Sequence, residues 1–188
     1  MRDTPLGPED IERLLIAVAE ELGDSGPIHE FVMVGGSLLA MHQLREATYD
    51  VDSVTRIDQE LRAAVARVAA MHDLPYDWLN DRSKAWLPAT WNRAECAVIL
   101  ERGRLRVLGM PLRDVWLMKL NASRAIDRED LVRIWPHTGF AHPEEAVTTH
   151  WAAYPGDPSD PHLDSYVAAI SRASHARAER DAAHGLDP

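Results

Sequence analysis

The 188 residues carry 30 acidic and 20 basic side chains, a formal charge of −10 with histidine neutral. That balance argues against a protein that coats DNA, a task that leaves a basic footprint. At 46% hydrophobic and 27% charged residues the chain can bury the core of one domain, or of a domain with a small appendage, and neither disorder nor a low-complexity fibre fits.

Pro8, Glu9 and Asp10 open a helical pattern that places Ile11, Leu14, Leu15, Val18 and Leu22 on one face and stops at Gly23. Phe31–Val34 reads as a short buried strand, broken by Gly35-Gly36 and continued by a helix from Ser37 to about Leu44. Tyr49–Val54 is a second strand, and Asp58–His72 a helix with Leu61, Ala64, Val65 and Val68 at core spacing. Cys96–Glu101 and Leu105–Met110 are two further strands, joined by a hairpin at Arg102-Gly103. Helices follow over 111–123, 127–135 and 143–153, and a last, Ala-rich one runs from Pro161 to Ala183. This divides the chain into a mixed-sheet core over 1–110 and a helical region over 111–188.

The longest apolar runs, Phe31–Val34 and Ala97–Leu100, fall far short of the roughly 20 residues of a membrane helix. No signal-peptide pattern opens the chain, so no membrane partner and a cytoplasmic location are expected. The single cysteine, Cys96, excludes an internal disulfide and, with its apolar flanks, reads as a core strand residue. The six tryptophans lie among apolar neighbours and are expected in the core. The nine histidines lack zinc-ligand spacing. Charge is unevenly placed: residues 1–30 hold eight acidic side chains against Arg2 and Arg13, whereas 102–133 hold eight basic against four acidic. A phosphate-rich ligand would prefer the latter stretch.

The chemistry concentrates in two neighbouring features. Gly35-Gly36-Ser37 sits at a strand-to-helix turn, where glycines let backbone N–H groups approach a triphosphate and the helix start adds positive potential; Ser37 offers a hydroxyl donor. Thr48-Tyr49-Asp50-Val51-Asp52 follows. Side chains two apart on a strand share a face, so Asp50 and Asp52 can converge on magnesium while Val51 points inward.

This pattern resembles the nucleotidyltransferases of the DNA polymerase beta superfamily, and more closely the AbiEii/MenT-like toxins of toxin–antitoxin systems. Val34–Ser37 with Arg45, Thr48, Asp50 and Asp52 is similar to their first motif. Asp77–Asp81, Leu117–Leu120 with Arg124, and Asp127–Leu131 are similar to later blocks. The resemblance implies an α/β nucleotidyltransferase fold with a small mixed sheet flanked by helices, and a helical C-terminal half. It also implies a magnesium-dependent transfer of a nucleotide, a pyrimidine such as that of CTP by analogy, to a tRNA 3′ end, with a cognate antitoxin as partner. Asp50 and Asp52 would hold the metal and Gly35, Gly36, Ser37, Arg45 and Lys119 the nucleotide. Asp127 or Asp130 would supply a third carboxylate that orients Lys119 or the metal. That last expectation answers a departure: many relatives place a third carboxylate on a neighbouring strand, and Ala97–Leu100 offers none, with Glu95 and Glu101 only at its ends. Arg45 is expected either at the nucleotide or paired with Asp50. Thr48, on the strand face of Asp50, is a candidate phosphorylation site, because a phosphate there would add about −2 of charge beside the carboxylates. Two other readings remain: a transferase for a small molecule or a protein hydroxyl, and an inactive interaction module.

Overall fold

The computed structural model describes residues 5–122 and 124–183. The chain divides into two compact units: residues up to Leu87 with Asn92–Pro111, and Pro88–Trp91 with the residues from Leu112 onward.

In the first unit, helix α1 (Pro8–Leu22) turns Ile11, Leu14, Leu15 and Val18 inward and ends at Gly23, as its apolar spacing predicts. It packs on α3 (Gln59–His72), which buries Leu61, Ala64, Val65 and Val68. The N-terminus of α3 is capped by Asp58, whose side chain accepts from the Leu61 amide at 3.0 Å, and its C-terminus by Asp73 in the left-handed region. Burying each Leu- or Val-sized side chain contributes about 1.5–3 kcal/mol, so this apolar seam is a substantial stabilising element of the unit.

Five strands form one mixed sheet: β1 (His29–Val34), β2 (Val51–Ser53), β3 (Leu79–Asn80), β4 (Ala97–Arg102) and β5 (Leu105–Gly109), in the order β3-β2-β1-β5-β4. β1 runs parallel to β5 and antiparallel to β2, β2 is parallel to β3, and β4 is antiparallel to β5. β1 is central and almost wholly buried, which explains its unbroken apolar run. The short helix α2 (Gly35–Met41) starts directly from it.

The second unit contains α4 (Leu112–Ala122), α5 (Arg128–Ile134), α6 (Pro143–Ala153) and α7 (Leu163–Ala183). The predicted end of α4, Ser123, lies outside the described residues. Trp116 meets Trp135 and Phe140 edge-on, with ring centroids 5.5 and 5.6 Å apart, and Trp135 and Phe140 lie tilted against each other. No helix among the described residues is long and apolar enough to cross a membrane.

Candidate active site

The site in the first unit is built on β2. Val51 and Ser53 are buried, so Asp52 and, two residues earlier, Asp50 project to the other face and remain part-exposed. Asp52 pairs in register with Val34 on one side and with Asn80 on the other. Val34 is the last residue of β1, and the next residue, Gly35, adopts φ 65°, the left-handed region that favours glycine. This backbone twist turns the chain from β1 into α2 beside the Asp52 carboxylate. Gly36 is equally constrained by space: a Cβ there would lie 2.7 Å from Thr48 Oγ1 and 3.3 Å from Arg45 Nη1. Gly35 therefore sits against the Asp52 carboxylate and Gly36 against Thr48 and Arg45.

A second group of side chains reaches the pair from the β3 side. The Asn80 amide nitrogen is 3.5 Å from Asp50 Oδ2. Its oxygen accepts from the Arg82 backbone N–H at 3.1 Å and from Arg82 Nε at 3.2 Å. Arg82 Nη2 also donates to Asp77 at 2.9 Å.

Burial raises both carboxyls above the ordinary aspartate range. For Asp50 desolvation leads and the charge of Asp77 adds to it, while Arg82, the Asn80 amide and Arg45 pull downward. For Asp52 desolvation again leads, then the charge of Asp50, against Ser83, Asn80 and Arg82. Two partly desolvated, mutually repelling carboxylates form a donor set that a divalent cation relieves. Magnesium characteristically takes one or two carboxylates and completes its shell with water and phosphate oxygens. Among the described residues no cluster of three or more His, Cys, Asp or Glu side chains forms a metal site.

In the second unit, Lys119 of α4 holds two carboxylates at once: Nζ donates to Asp127 Oδ1 at 2.6 Å and lies 2.8 Å from Asp130 Oδ2. All three side chains are about nine-tenths buried. Asp127 ends the 3-10 turn Ala125–Asp127 and Asp130 lies in the first turn of α5, so both acids posed as alternatives by the sequence contact the same ammonium.

Residues 13–134, well over half of the chain and all the side chains just described, match a family described as "Nucleotidyltransferase of unknown function (DUF6036)". The chain belongs to this nucleotidyltransferase family. No curated protein and no solved structure matches it.

Several expectations for this nucleotidyltransferase need correction. The Ser37 hydroxyl is fully buried and donates to the Val34 carbonyl at 3.0 Å, so its side chain locks the β1–α2 turn instead of facing outward. Thr48 does not belong to β2, which begins at Val51. Its backbone pairs with Leu6 in an isolated bridge, and its side chain is buried against Gly36. Arg45 donates through Nε to the Ala47 carbonyl at 2.9 Å, and its charge acts on Asp50. The strand expected to neighbour the carboxylates, Ala97–Leu100, lies at the far edge of the sheet; the strand beside Asp52 is β3, and it carries Asn80. Cys96 precedes β4 and is only half-buried, because β4 is an edge strand with an exposed face. Trp86, 38% exposed, is likewise not a core residue.

The basic stretch is also less available than its composition suggests. Arg104 is buried, donating to the Leu22 and Pro27 carbonyls at 2.7 and 2.9 Å and pairing with Glu60 at 2.9 Å. Arg106 makes a two-pronged bond to Glu101, with both contacts at 3.0 Å.

Asn80, Arg82 and Asp77 are the neighbours of the carboxylates to which the sequence had assigned no role. Their only sequence signal was the Asp77–Asp81 block itself.

Proposed function

We propose that the protein transfers a nucleotide from a nucleoside triphosphate to a hydroxyl at the Asp50–Asp52 pair, and that its acceptor is a tRNA 3′ end. The observation that carries the reading is the alternation from Asp50, just before β2, to Asp52 within it, which leaves two part-buried carboxylates on one side of buried Val51, with Asp52 against the left-handed Gly35 turn. Asp50 and Asp52 would hold magnesium, which supplies charge neutralisation at the α-phosphate and lowers the pKa of the attacking hydroxyl when bound. The missing side chains of Gly35 and Gly36 let Asp52, Thr48 and Arg45 approach the β1–α2 turn closely, and Arg45 and Arg82 set positive charge beside Asp50. The reaction joins the hydroxyl oxygen to the α-phosphorus and releases pyrophosphate. Lys119, with Asp127 and Asp130, is the triphosphate-clamping group in this reading.

The family match supports nucleotidyl transfer. The resemblance of the Gly35–Asp52 motif to AbiEii/MenT-like toxins supports the finer reading: addition of a pyrimidine to tRNA, a block of aminoacylation, and restraint by an antitoxin. Phosphorylation of Thr48 would provide such restraint by placing charge against Gly36 and beside Arg45, after the Leu6 bridge opens. Internal pairing of Arg104 and Arg106 favours a second reading, a small-molecule or protein hydroxyl as acceptor.

Incubation with total tRNA, magnesium and each labelled triphosphate in turn, beside an Asp50→Ala control, tests the proposal. Label on tRNA that disappears in the control supports it. Label on protein or a small molecule moves the acceptor, and no label anywhere contradicts the enzymatic reading.

A further inference from the structure

Asn80 is 4% exposed and stands on the two-residue strand β3, in register with Asp52. Its amide can be oriented without ambiguity from its neighbours. The oxygen receives two donors from Arg82, the backbone N–H at 3.1 Å and Nε at 3.2 Å. A flipped amide would oppose N–H to N–H at both contacts. The nitrogen must therefore face the carboxylates, and it does so at 3.5 Å from Asp50 Oδ2 while the Asn80 backbone stands in register with Asp52.

We propose that Asn80 is a positioning residue for the carboxylate pair: its amide nitrogen meets Asp50, its backbone stands in register with Asp52, and Arg82 fixes its orientation. The proposal rests on the nucleotidyl-transfer reading above and deepens it. Asparagine suits the place for a chemical reason. Its –NH2 carries two donors and no charge, so it can hold two carboxylates in a convergent arrangement without neutralising them. A lysine or arginine at the same point would form an ion pair and compete with a cation. An aspartate would add a third buried negative charge to two that already repel. Asn80 is also a poor direct ligand, because its oxygen is taken by Arg82. The chain of contacts continues outward from Arg82 to Asp77 at 2.9 Å, so the Asp77–Asp81 block acts as a brace built across the β2–β3 edge. Asp81 secures the same region by accepting from the Ile57 amide at 3.0 Å.

The test titrates Mn2+ alone, by calorimetry, into the full chain and its Asn80→Ala and Arg82→Ala variants, with nucleotide transfer measured in parallel. Loss of a group that orients metal ligands lowers affinity by about ten- to a hundredfold, and that weakening is expected for folded Asn80→Ala. Affinity within twofold of wild type would overturn the proposal. Should Asn80→Ala fail to fold, Arg82→Ala decides, because Arg82 lies outside the strands and its side chain is 67% exposed. If Arg82 acts through Asn80, its removal weakens Mn2+ binding. If it is merely a nearby positive charge, its removal leaves binding equal or tighter, which sinks the idea. A wild-type chain that neither binds Mn2+ nor transfers nucleotide overturns the functional reading and this inference with it. A wild-type chain that does both, beside variants that bind equally well, overturns the inference alone.

Discussion

Gly35 backs directly onto Asp52: a Cβ placed on the glycine would lie 3.0 Å from the Asp52 carboxylate oxygen Oδ2. The same glycine holds φ 65°, so Gly35→Ala imposes two separate costs. The left-handed backbone alone costs an alanine about 1–2 kcal/mol, and the methyl group additionally displaces the carboxylate. Gly103→Ala isolates the first cost, because Gly103 has φ 53° with nothing within 4 Å of an added Cβ. Gly103→Ala is expected to lose about the backbone cost alone in urea and Gly35→Ala at least as much, and only Gly35→Ala to lose nucleotide transfer. Equal transfer by the two would show that the Gly35–Asp52 contact is immaterial to the site.

Protons compete with a cation for Asp50 and Asp52. Burial leads in raising both carboxyls, so between the ordinary and the raised value the folded chain binds more protons than the unfolded one. The contribution of these two groups to stability therefore falls as pH rises through that window. Above it both are ionised and strained, and Asp52→Asn is expected to melt at the same or a higher temperature than wild type near neutral pH while losing transfer. On acidification, Mn2+ affinity of the wild type is expected to fall with a midpoint above the ordinary value of 3.8. Calorimetric titrations over roughly pH 4 to 7 would read this; affinity unchanged across that range would contradict it.

Lys119 combines a structural demand with the proposed catalytic one. Lys119→Met leaves Asp127 and Asp130 buried without the ammonium they share, and breaking a buried ion pair from one side costs about 3–5 kcal/mol. Substituting all three, Lys119→Met with Asp127→Asn and Asp130→Asn, removes the stranded charge and should recover much of the loss. The triple variant is therefore the informative one. A folded but inactive triple variant supports the clamping role, and a folded, active one reduces the triad to a structural element of the second unit.

What could be read from the sequence was local. Helices α1 and α3 follow from apolar spacing and their stop signals, and the placement of Asp50 and Asp52 on one face needs only the two-residue period of a strand. Asn80 was illegible because a two-residue strand has no period, and its partners depend on β2–β3 pairing between segments 28 residues apart. Strand order is similarly non-local. Ala97–Leu100, the strand that lacks a third carboxylate, lies in the sheet beyond β1 and β5 from Asp52. Arg104 misled for a related reason: composition counts charge, whereas burial decides whether that charge reaches a ligand.

Arg104 supplies a test of that distinction. Its guanidinium donates to two backbone carbonyls, contacts His29 Nε2 at 2.9 Å and pairs with Glu60. Gly26, at φ 129°, lies so close beneath it that a side chain there would collide with the guanidinium. Arg104→Met strands the Leu22 and Pro27 carbonyls and removes a buried charge, so a loss of about 3 kcal/mol or more is expected in urea denaturation. Its effect on RNA should be nil. A phosphate-contacting arginine contributes about one unit to the slope of log affinity against log salt, and the slope for tRNA should be the same for Arg104→Met as for wild type at temperatures where both are folded. A slope reduced by about one unit, with stability unchanged, would return Arg104 to the RNA surface and overturn its assignment as an internal brace between β5, the Leu22–Pro27 segment and α3.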